Sequence, residues 1–401
     1  VATTSKDLRA GRSIWLARHA PRVTCGALAR SIKVDALIVG AGITGAMVAD
    51  ALAAAGLNVA VVDKRGPAKG STAASTALVL HEIDTPLVRL AGKIGRNNAV
   101  RAWRRSRLAV DAIAARLGEL SVRDMQRRGS LYLAGDLLDR DELALEHHAR
   151  CAAGLASRYL DRRALRDRFG IARTAALLGY DDIAIDPREA TLRLLKAACA
   201  QGAALFAPVE IVDIEARASA VTATAANGRR IRCRSLIFAT GYELPKGVPR
   251  RGYRIVSTWA IATAPQRRTP WPERCMIWEA SDPYLYLRMT ADGRIVCGGE
   301  DEDFSDEARR DALLGRKTRI LARKLRRLIP GANAAVDFAW TGSFGESATG
   351  LPRIGRVPGM PGCWAALGYG GNGTTYARIA ADVICGALLG RPDADADLYD
   401  F

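Results

Sequence analysis

The sequence predicts an α/β nucleotide-binding unit interleaved with a second, α+β part, and three observations carry that reading. A glycine-rich turn stands between a buried strand and a helix near the start, the pattern turns to successive strands after Tyr253, and a second glycine-rich turn opens a helix near the end. The chain has 401 residues, more than one domain usually holds, so two domains or two interleaved lobes are expected. With 49% hydrophobic and 25% charged residues it is neither a disordered chain nor a disulfide scaffold.

Val34 to Val39 is an apolar run with one Asp, as expected of a strand buried on both faces. Gly40-Ala-Gly-Ile-Thr-Gly45 follows at once, then an alanine-rich helix to Ala55, a stop at Gly56, and a second strand, Asn58 to Val62, ending at Asp63. That is a complete βαβ unit with a dinucleotide fingerprint. Gly40 permits the tight turn, Gly42 lets the backbone approach a pyrophosphate, and Gly45 lets helix and strand pack closely. The free N–H groups of the helix start, at Ile43 and Thr44, face phosphate charge, and Asp63 accepts hydrogen bonds from a ribose. The apolar stretch from Ala36 to Val62 is long enough to raise the question of a membrane helix, but Asp50 interrupts it and its glycines divide it, so no membrane span is expected.

Further on, Leu90 to Leu117 and Asp141 to Phe169 read as helices, the latter with arginines at 158, 162, 163, 166 and 168 on an outer face. Ala207 to Glu215 and Ala220 to Ala225 read as a hairpin, and Ile231 to Ala239 as a strand. More strands are expected at Arg254 to Ala264, Met276 to Ala280, Tyr284 to Met289 and, after the Asp292-Gly293 turn, Arg294 to Gly299. Asp311 to Ile329 is amphipathic, with Leu314, Leu321, Leu325 and Leu328 on one stripe, and packs as a solvated helix. Pro245 to Arg251 and Pro265 to Pro272 look like linkers.

Lys plus Arg number 59 against 42 Asp plus Glu, a formal +17, which would suit nucleic acid. The arginines are spread along the whole chain rather than gathered in one stripe, so a compositional bias explains the charge and a nucleic-acid partner is not expected. The eight cysteines show no C-x-x-C spacing and lie mostly in apolar stretches, as in a reduced, cytoplasmic protein. Four histidines without metal-ligand spacing give a metal site little to be built from, so no metal is expected. The first residues lack a signal-peptide core.

Three more segments join the fingerprint: the hydroxyl-rich Gly70-Ser-Thr-Ala-Ala-Ser-Thr-Ala77, the strand end Ala239-Thr240-Gly241, and Gly368-Tyr-Gly-Gly-Asn-Gly373 before a helix from Thr374 to Leu389. The first can bond a pyrophosphate or let a flat ring lie against backbone, and the last can hold partial negative charge at a helix start. With these motifs, together with Val209 and Gly350-Leu-Pro-Arg-Ile-Gly355, the chain from Val34 onward resembles the flavin-dependent amine and amino-acid oxidases related to D-amino acid oxidase, glycine oxidase and monomeric sarcosine oxidase. The resemblance implies a Rossmann-like FAD-binding domain interleaved with a substrate domain on a mixed or antiparallel sheet with helices. It implies FAD, bound without a covalent link. Gly40, Gly42, Ile43, Thr44, Gly45, Asp63 and the adjacent Lys64 would serve its ADP half, and Gly70, Ser71, Thr72, Ala74, Ser75 and Thr76 the loop against it. Val209 would meet the adenine, Thr240, Gly241 and Gly350 would complete the site, and Gly371, Asn372, Gly373 and Thr374 would face the carbonyl edge of the flavin ring. The domains would be an arm at 1–33, an FAD domain of 34–90, 188–252 and 336–401, and a substrate domain of 91–187 and 253–335.

In that family the flavin takes a hydride from a C–H next to nitrogen, and the imine then hydrolyses. Tyr284, Tyr286 and Arg288 alternate along one strand, so period-two geometry puts them on one face as substrate-binding candidates. The family's carboxylate-clamping arginine is replaced here by Phe344, which leaves Arg288 or Arg353 for that role or a substrate without a carboxylate. No lysine stands on the strand from Arg294 to Gly299, where sarcosine oxidase-like members use one towards oxygen, so oxygen or another electron acceptor remains open. Two other readings are an RNA-directed flavoprotein of the same fold and a flavin-binding module without catalysis.

Overall fold

Two sheets organise the chain in a computed structural model that describes residues 6–249 and 252–401; residues 1–5 of the expected arm and Arg250–Arg251 of the expected linker lie outside it. In the first sheet Ile32–Val39 is central, parallel to Val59–Val62 on one side and to Arg230–Phe238 on the other. Ala204–Phe206 adds in parallel beyond Val59–Val62, and Cys363–Leu367 beyond Arg230–Phe238. The hairpin Ile211–Arg217 and Ala220–Ala225 joins the 230–238 strand antiparallel. Val59–Val62 is buried throughout and Ile32–Val39 mostly so from Val34 onward, and both read as apolar runs, whereas Arg230–Phe238 alternates up to Arg234 and is continuously buried only from Leu236. Helix Ile43–Ala54 packs between Pro187–Ala200 and Gly373–Leu388 over this sheet.

The second sheet runs Val336–Ser347, Tyr253–Thr263, Ile295–Glu302, Leu285–Met289, Met276–Glu279, Gln126–Leu133, Ala175–Ala184 and Leu78–Val79. Only Met276–Glu279 beside Gln126–Leu133 is parallel. Leu314–Leu328 lays its leucine stripe on this sheet, with Leu321, Leu325 and Leu328 buried. The Val336–Ser347 strand, expected to open the last FAD-domain segment, pairs along its whole length with Tyr253–Thr263 and so belongs to the second sheet.

Two expected helices are divided. Leu90 to Leu117 is Leu87–Ile94 and Arg96–Glu119, broken at Gly95 with φ +84. Asp141 to Phe169 is helix Arg140–Ala152, strand Ser157–Asp161 and helix Arg162–Phe169. Asp139 and Glu142 form a capping box at the start of the first, and Gly154 at φ +74 stops it while the Leu155 N–H bonds back to Arg150 O. Within the expected 1–33 arm, the described residues 6–33 pack on the rest of the chain. Trp15 is fully buried, and Ile32 and Lys33 already pair with the 230–238 strand. Asp50, which interrupts the long apolar stretch, is buried and takes two bonds from Arg116 at 2.8 and 2.7 Å, tying helix 96–119 to the glycine-turn helix. Among the described residues no helix is long and apolar enough to cross a membrane.

Candidate active site

At Gly40 φ is +116 and a Cβ would lie 2.3 Å from the carbonyl oxygen of Ala239; a Cβ on Gly45 would lie 1.8 Å from that of Gly40. Both positions exclude any side chain. Gly42 differs: its φ of −81 suits any residue, and a Cβ there would face Thr72 Oγ1 at 3.1 Å. That hydroxyl accepts the Ile43 N–H at 3.0 Å, so the start of helix 43–54 opens beside the 70–77 loop. Asp63 holds the turn from the other side, Oδ2 accepting from Ala41 and Oδ1 from Arg65 and Gly66.

These elements surround a cavity open to solvent on one side. The expected cofactor residues on its wall are Gly40, Gly42, Ile43, Thr44, Asp63, Lys64, Gly70, Ser71, Thr72, Ala74, Ser75, Thr76, Val209, Thr240, Gly241, Gly371, Asn372, Gly373 and Thr374, with Tyr284 and Tyr286 from the second sheet. Gly45 stands behind the wall as the packing glycine. The Val209 N–H donates to Asp63 O at 2.9 Å, leaving its carbonyl and side chain to the cavity. Several features fit a dinucleotide: a helix start without a side-chain cap, a buried Ser71 Oγ without a hydrogen-bond partner, and a glycine pair against which a flat group can lie. At the Asp63 end Lys64 Nζ meets Glu243 at 2.7 Å, and Arg65 meets both oxygens of Glu243 at 2.7 Å. Burial opposes the Glu243 charge, and the bonds from Arg65 and Lys64 outweigh it, holding its carboxyl below the usual range.

Two expected residues lie elsewhere. Gly350 (φ +79) forms a turn against Thr85, where a Cβ would come within 2.5 Å of the hydroxyl, and its carbonyl accepts from Tyr376 at 3.1 Å. Arg288 shares its strand face with Tyr286 but runs beneath the 70–77 loop instead of into the cavity. Its Nε donates to Thr76 O at 2.8 Å and its Nη2 to Ile185 O at 2.5 Å, and its guanidinium lies 5.1 Å from the Trp15 ring centre. Three more side chains hold the same loop: Ser13 Oγ donates to Ala73 O at 2.5 Å, Trp340 Nε1 to Ala74 O at 2.8 Å and Trp15 Nε1 to Ser75 O at 2.6 Å. Four successive carbonyls are thereby fixed on their outer side, and the loop's inner side is left to the cavity. Burial pulls the Arg288 guanidinium down to about 9, so it stays charged at neutral pH with the two carbonyls and the indole face around it. Arg288 thus holds the loop from outside and is not among the residues on the cavity wall.

Trp278, Tyr284, Tyr286, Phe344, Thr258 and Asp84 form the end of the cavity away from Asp63. Tyr286 pairs with Trp278 on one neighbouring strand and Gly298 on the other. A Cβ on Gly298 would lie 2.5 Å from the Tyr286 ring, so the glycine lets that ring lie flat and bring its hydroxyl to 3.3 Å from Thr258 Oγ1. Burial, reinforced by the charges of Asp301 and Asp84, pushes the Tyr284 and Tyr286 phenols well above their usual range, so both are protonated donors at neutral pH. Asp84 Oδ2 accepts the Gly371 N–H at 2.7 Å, and Asn372 Nδ2 donates to Glu82 O at 2.8 Å, which locks the 80–84 segment to the second glycine turn.

Asp84, Asp301, Thr258, Trp278 and the loop-holding Ser13, Trp15 and Trp340 were not expected from the sequence. Asp301 owes its place to a bulge: Ser257 pairs with Glu302 but Trp259 with Gly299, and Glu300 takes φ +61. Glu300 faces Lys317 and Lys324, and Asp301 the opposite side, behind Thr258. Burial pushes its carboxyl up to about 7, against an ordinary 3.8. The folded protein thus holds a proton that the unfolded chain has lost between about pH 4 and 7, so this group lowers stability as pH rises through that window. Asp301→Asn is expected to gain about 2 to 3 kcal/mol on the wild type between pH 5 and pH 8 in urea unfolding. A wild type that gains on the variant with rising pH would contradict this.

One group of metal-ligating side chains lies together among the described residues, His81, Glu82 and Asp182, all buried. His81 Nδ1 meets Asp182 Oδ1 at 2.7 Å and Glu82 meets Ser130 and Arg150, while Asp182 Oδ2 is buried without a hydrogen-bond partner. The eight cysteines are free thiols, of which Cys151 is exposed.

The family model described as FAD dependent oxidoreductase (DAO) matches residues 35–386. A glycine oxidase of Bacillus licheniformis is 25% identical over 376 residues, spanning 90% of this chain and 94% of that protein. The gamma-glutamylputrescine oxidoreductase of Escherichia coli is 23% identical over 391 residues, 93% of this chain and 87% of its own. The crystal structure of glycine oxidase from Geobacillus kaustophilus superposes with a TM-score of 0.74 at 18% identity, over 90% of this chain and 96% of the other, which is a likeness of fold.

Proposed function

We propose, for a chain that belongs to the DAO family of FAD-dependent oxidoreductases, that the cavity holds FAD without a covalent bond and that the enzyme dehydrogenates a C–N bond of an amine or amino acid, the imine then being hydrolysed by water. The observation that supports this most is the convergence of five distant segments, 40–44, 63–64, 70–76, 240–241 and 371–374, on one cavity that also admits Tyr284 and Tyr286. Bound there, FAD supplies the hydride acceptor.

The chain's own part is to bind and orient. Apart from the Ile43 N–H, which Thr72 takes, the first-turn N–H groups of helices 43–54 and 373–388 are suited to negative charge on the cofactor. The 70–77 loop, fixed by Ser13, Trp15, Trp340 and Arg288, gives a rigid wall. Tyr286 and Tyr284, protonated, donate to the substrate and do not act as bases. Trp278, Phe344 and Tyr369 keep water from the substrate end. An amine that arrives neutral needs no catalytic base, which agrees with the lack of histidine on this wall. Anaerobic mixing with a panel of amines and amino acids tests the reading. At least one should bleach the flavin absorbance; a protein loaded with FAD and bleached only by 2-hydroxy acids would move it out of the amine class.

A further inference from the structure

We propose that the substrate end of this cavity is built for an aliphatic diamine without a carboxylate, one nitrogen being oxidised and the other, as an ammonium, held by Asp84 beside the aromatic wall of Trp278, Tyr284 and Tyr286, with Asp301 adding its charge from behind Thr258. The proposal rests on the amine-oxidising reading above and names its substrate class.

The charge inventory points this way first. Among the described residues the cations on the cavity wall are Lys64 and Arg65, both at the Asp63 end and both bound to Glu243. Arg288 is spent on the 70–77 loop, and Phe344 stands on the wall without a charge. An amino acid's carboxylate would therefore enter beside two carboxylates and find no cation, losing its hydration without return.

The acids face the opposite situation. Asp84 is exposed, and the surface it exposes is cavity wall; its one bond there is to the Gly371 N–H. Asp301 has both carboxylate oxygens out of contact with solvent, and the Thr258 hydroxyl beside it stands between it and the cavity. Neither acid has an ion-pair partner among the described residues, and Lys317, the nearest cation to Asp301, already pairs with Glu300 and Glu302. A buried carboxylate without a cation is costly, and the bulge with its left-handed Glu300 is what sets it behind Thr258. Such costs are retained where a ligand completes the site. Asp84, Tyr284 and Tyr286 share the cavity wall, and Asp301 acts on both phenols from behind it. The Tyr284 and Tyr286 ring centres are 5.1 Å apart, and aromatic faces next to carboxylates hold ammonium groups well.

Calorimetric titration of the purified protein, as isolated, with 1,4-diaminobutane, 1-aminobutane and glycine tests this. The diamine should bind at least about tenfold more tightly than the monoamine, as a charge-assisted bond gives, and glycine more weakly than either. Asp301→Asn and Asp84→Asn should each remove most of the diamine's advantage. Equal binding of diamine and monoamine, or tighter binding of glycine, overturns the proposal, and since both comparisons use the wild type they hold even if a variant fails to fold. FAD content is measured on the same samples. Yellow protein that prefers glycine sinks the diamine and spares the flavoenzyme; colourless protein sinks the flavoenzyme, and the ligand ranking still decides the diamine.

Discussion

Gly42→Val should give a folded protein that purifies colourless. The backbone at residue 42 is ordinary, with φ −81, so a side chain strains nothing in the turn itself. What it meets is the Thr72 hydroxyl at 3.1 Å from its Cβ, and its two methyl groups then fill the gap between the start of helix 43–54 and the 70–77 loop, where the phosphates are expected. FAD affinity should fall by at least about a hundredfold, the equivalent of losing two charge-assisted bonds. Circular dichroism should match the wild type. Gly40 and Gly45 make the control: a Cβ at either runs into backbone carbonyl oxygen at 2.3 and 1.8 Å, so their substitution should cost the fold as well as the colour. Gly42→Val that retains a full complement of FAD would place the pyrophosphate elsewhere.

Arg288→Met should loosen the cofactor and lower stability while leaving the KM of an amine substrate nearly unchanged. The substitution strands the carbonyls of Thr76 and Ile185 in a buried setting at about 1 to 3 kcal/mol each and removes the cation from the Trp15 face. Arg288→Lys keeps the charge but cannot reach both carbonyls with a planar fork, so it should lie between the two. A residue that clamps a substrate carboxylate behaves oppositely, with KM raised ten- to a hundredfold in Arg288→Lys and FAD binding intact. Thermal unfolding, FAD dissociation and KM measured on both variants separate the two roles.

The contrast at Arg288 shows how far the sequence could be read. Its strand and its face follow from the alternation of Tyr284, Tyr286 and Arg288, and that much is local. What covers the face is not. Trp15 and the 70–77 loop come from more than 200 residues away, and no pattern around Arg288 marks them. The glycine turn and Asp63 were legible because strand, turn, helix and acid follow one another within one βαβ unit, the Asp63 carboxylate on the Ala41 N–H included, whereas the approach of Ala239 to Gly40 comes from a distant strand. The 157–161 strand was lost inside an arginine-rich run, although the Asp139 and Glu142 capping box and the Gly154 stop were there to divide it. Asp301 had only a weak mark, an acid inside a strand after a glycine pair, and its position depends on a bulge that exists because the paired strand is out of register.

The central claim, that these segments form one FAD site, is tested most directly by denaturing the purified protein and identifying what it releases. A yellow preparation should give up close to one equivalent of intact FAD per chain, with no flavin left on the polypeptide. Protein that folds, carries no flavin after incubation with FAD and binds NAD instead would contradict the account.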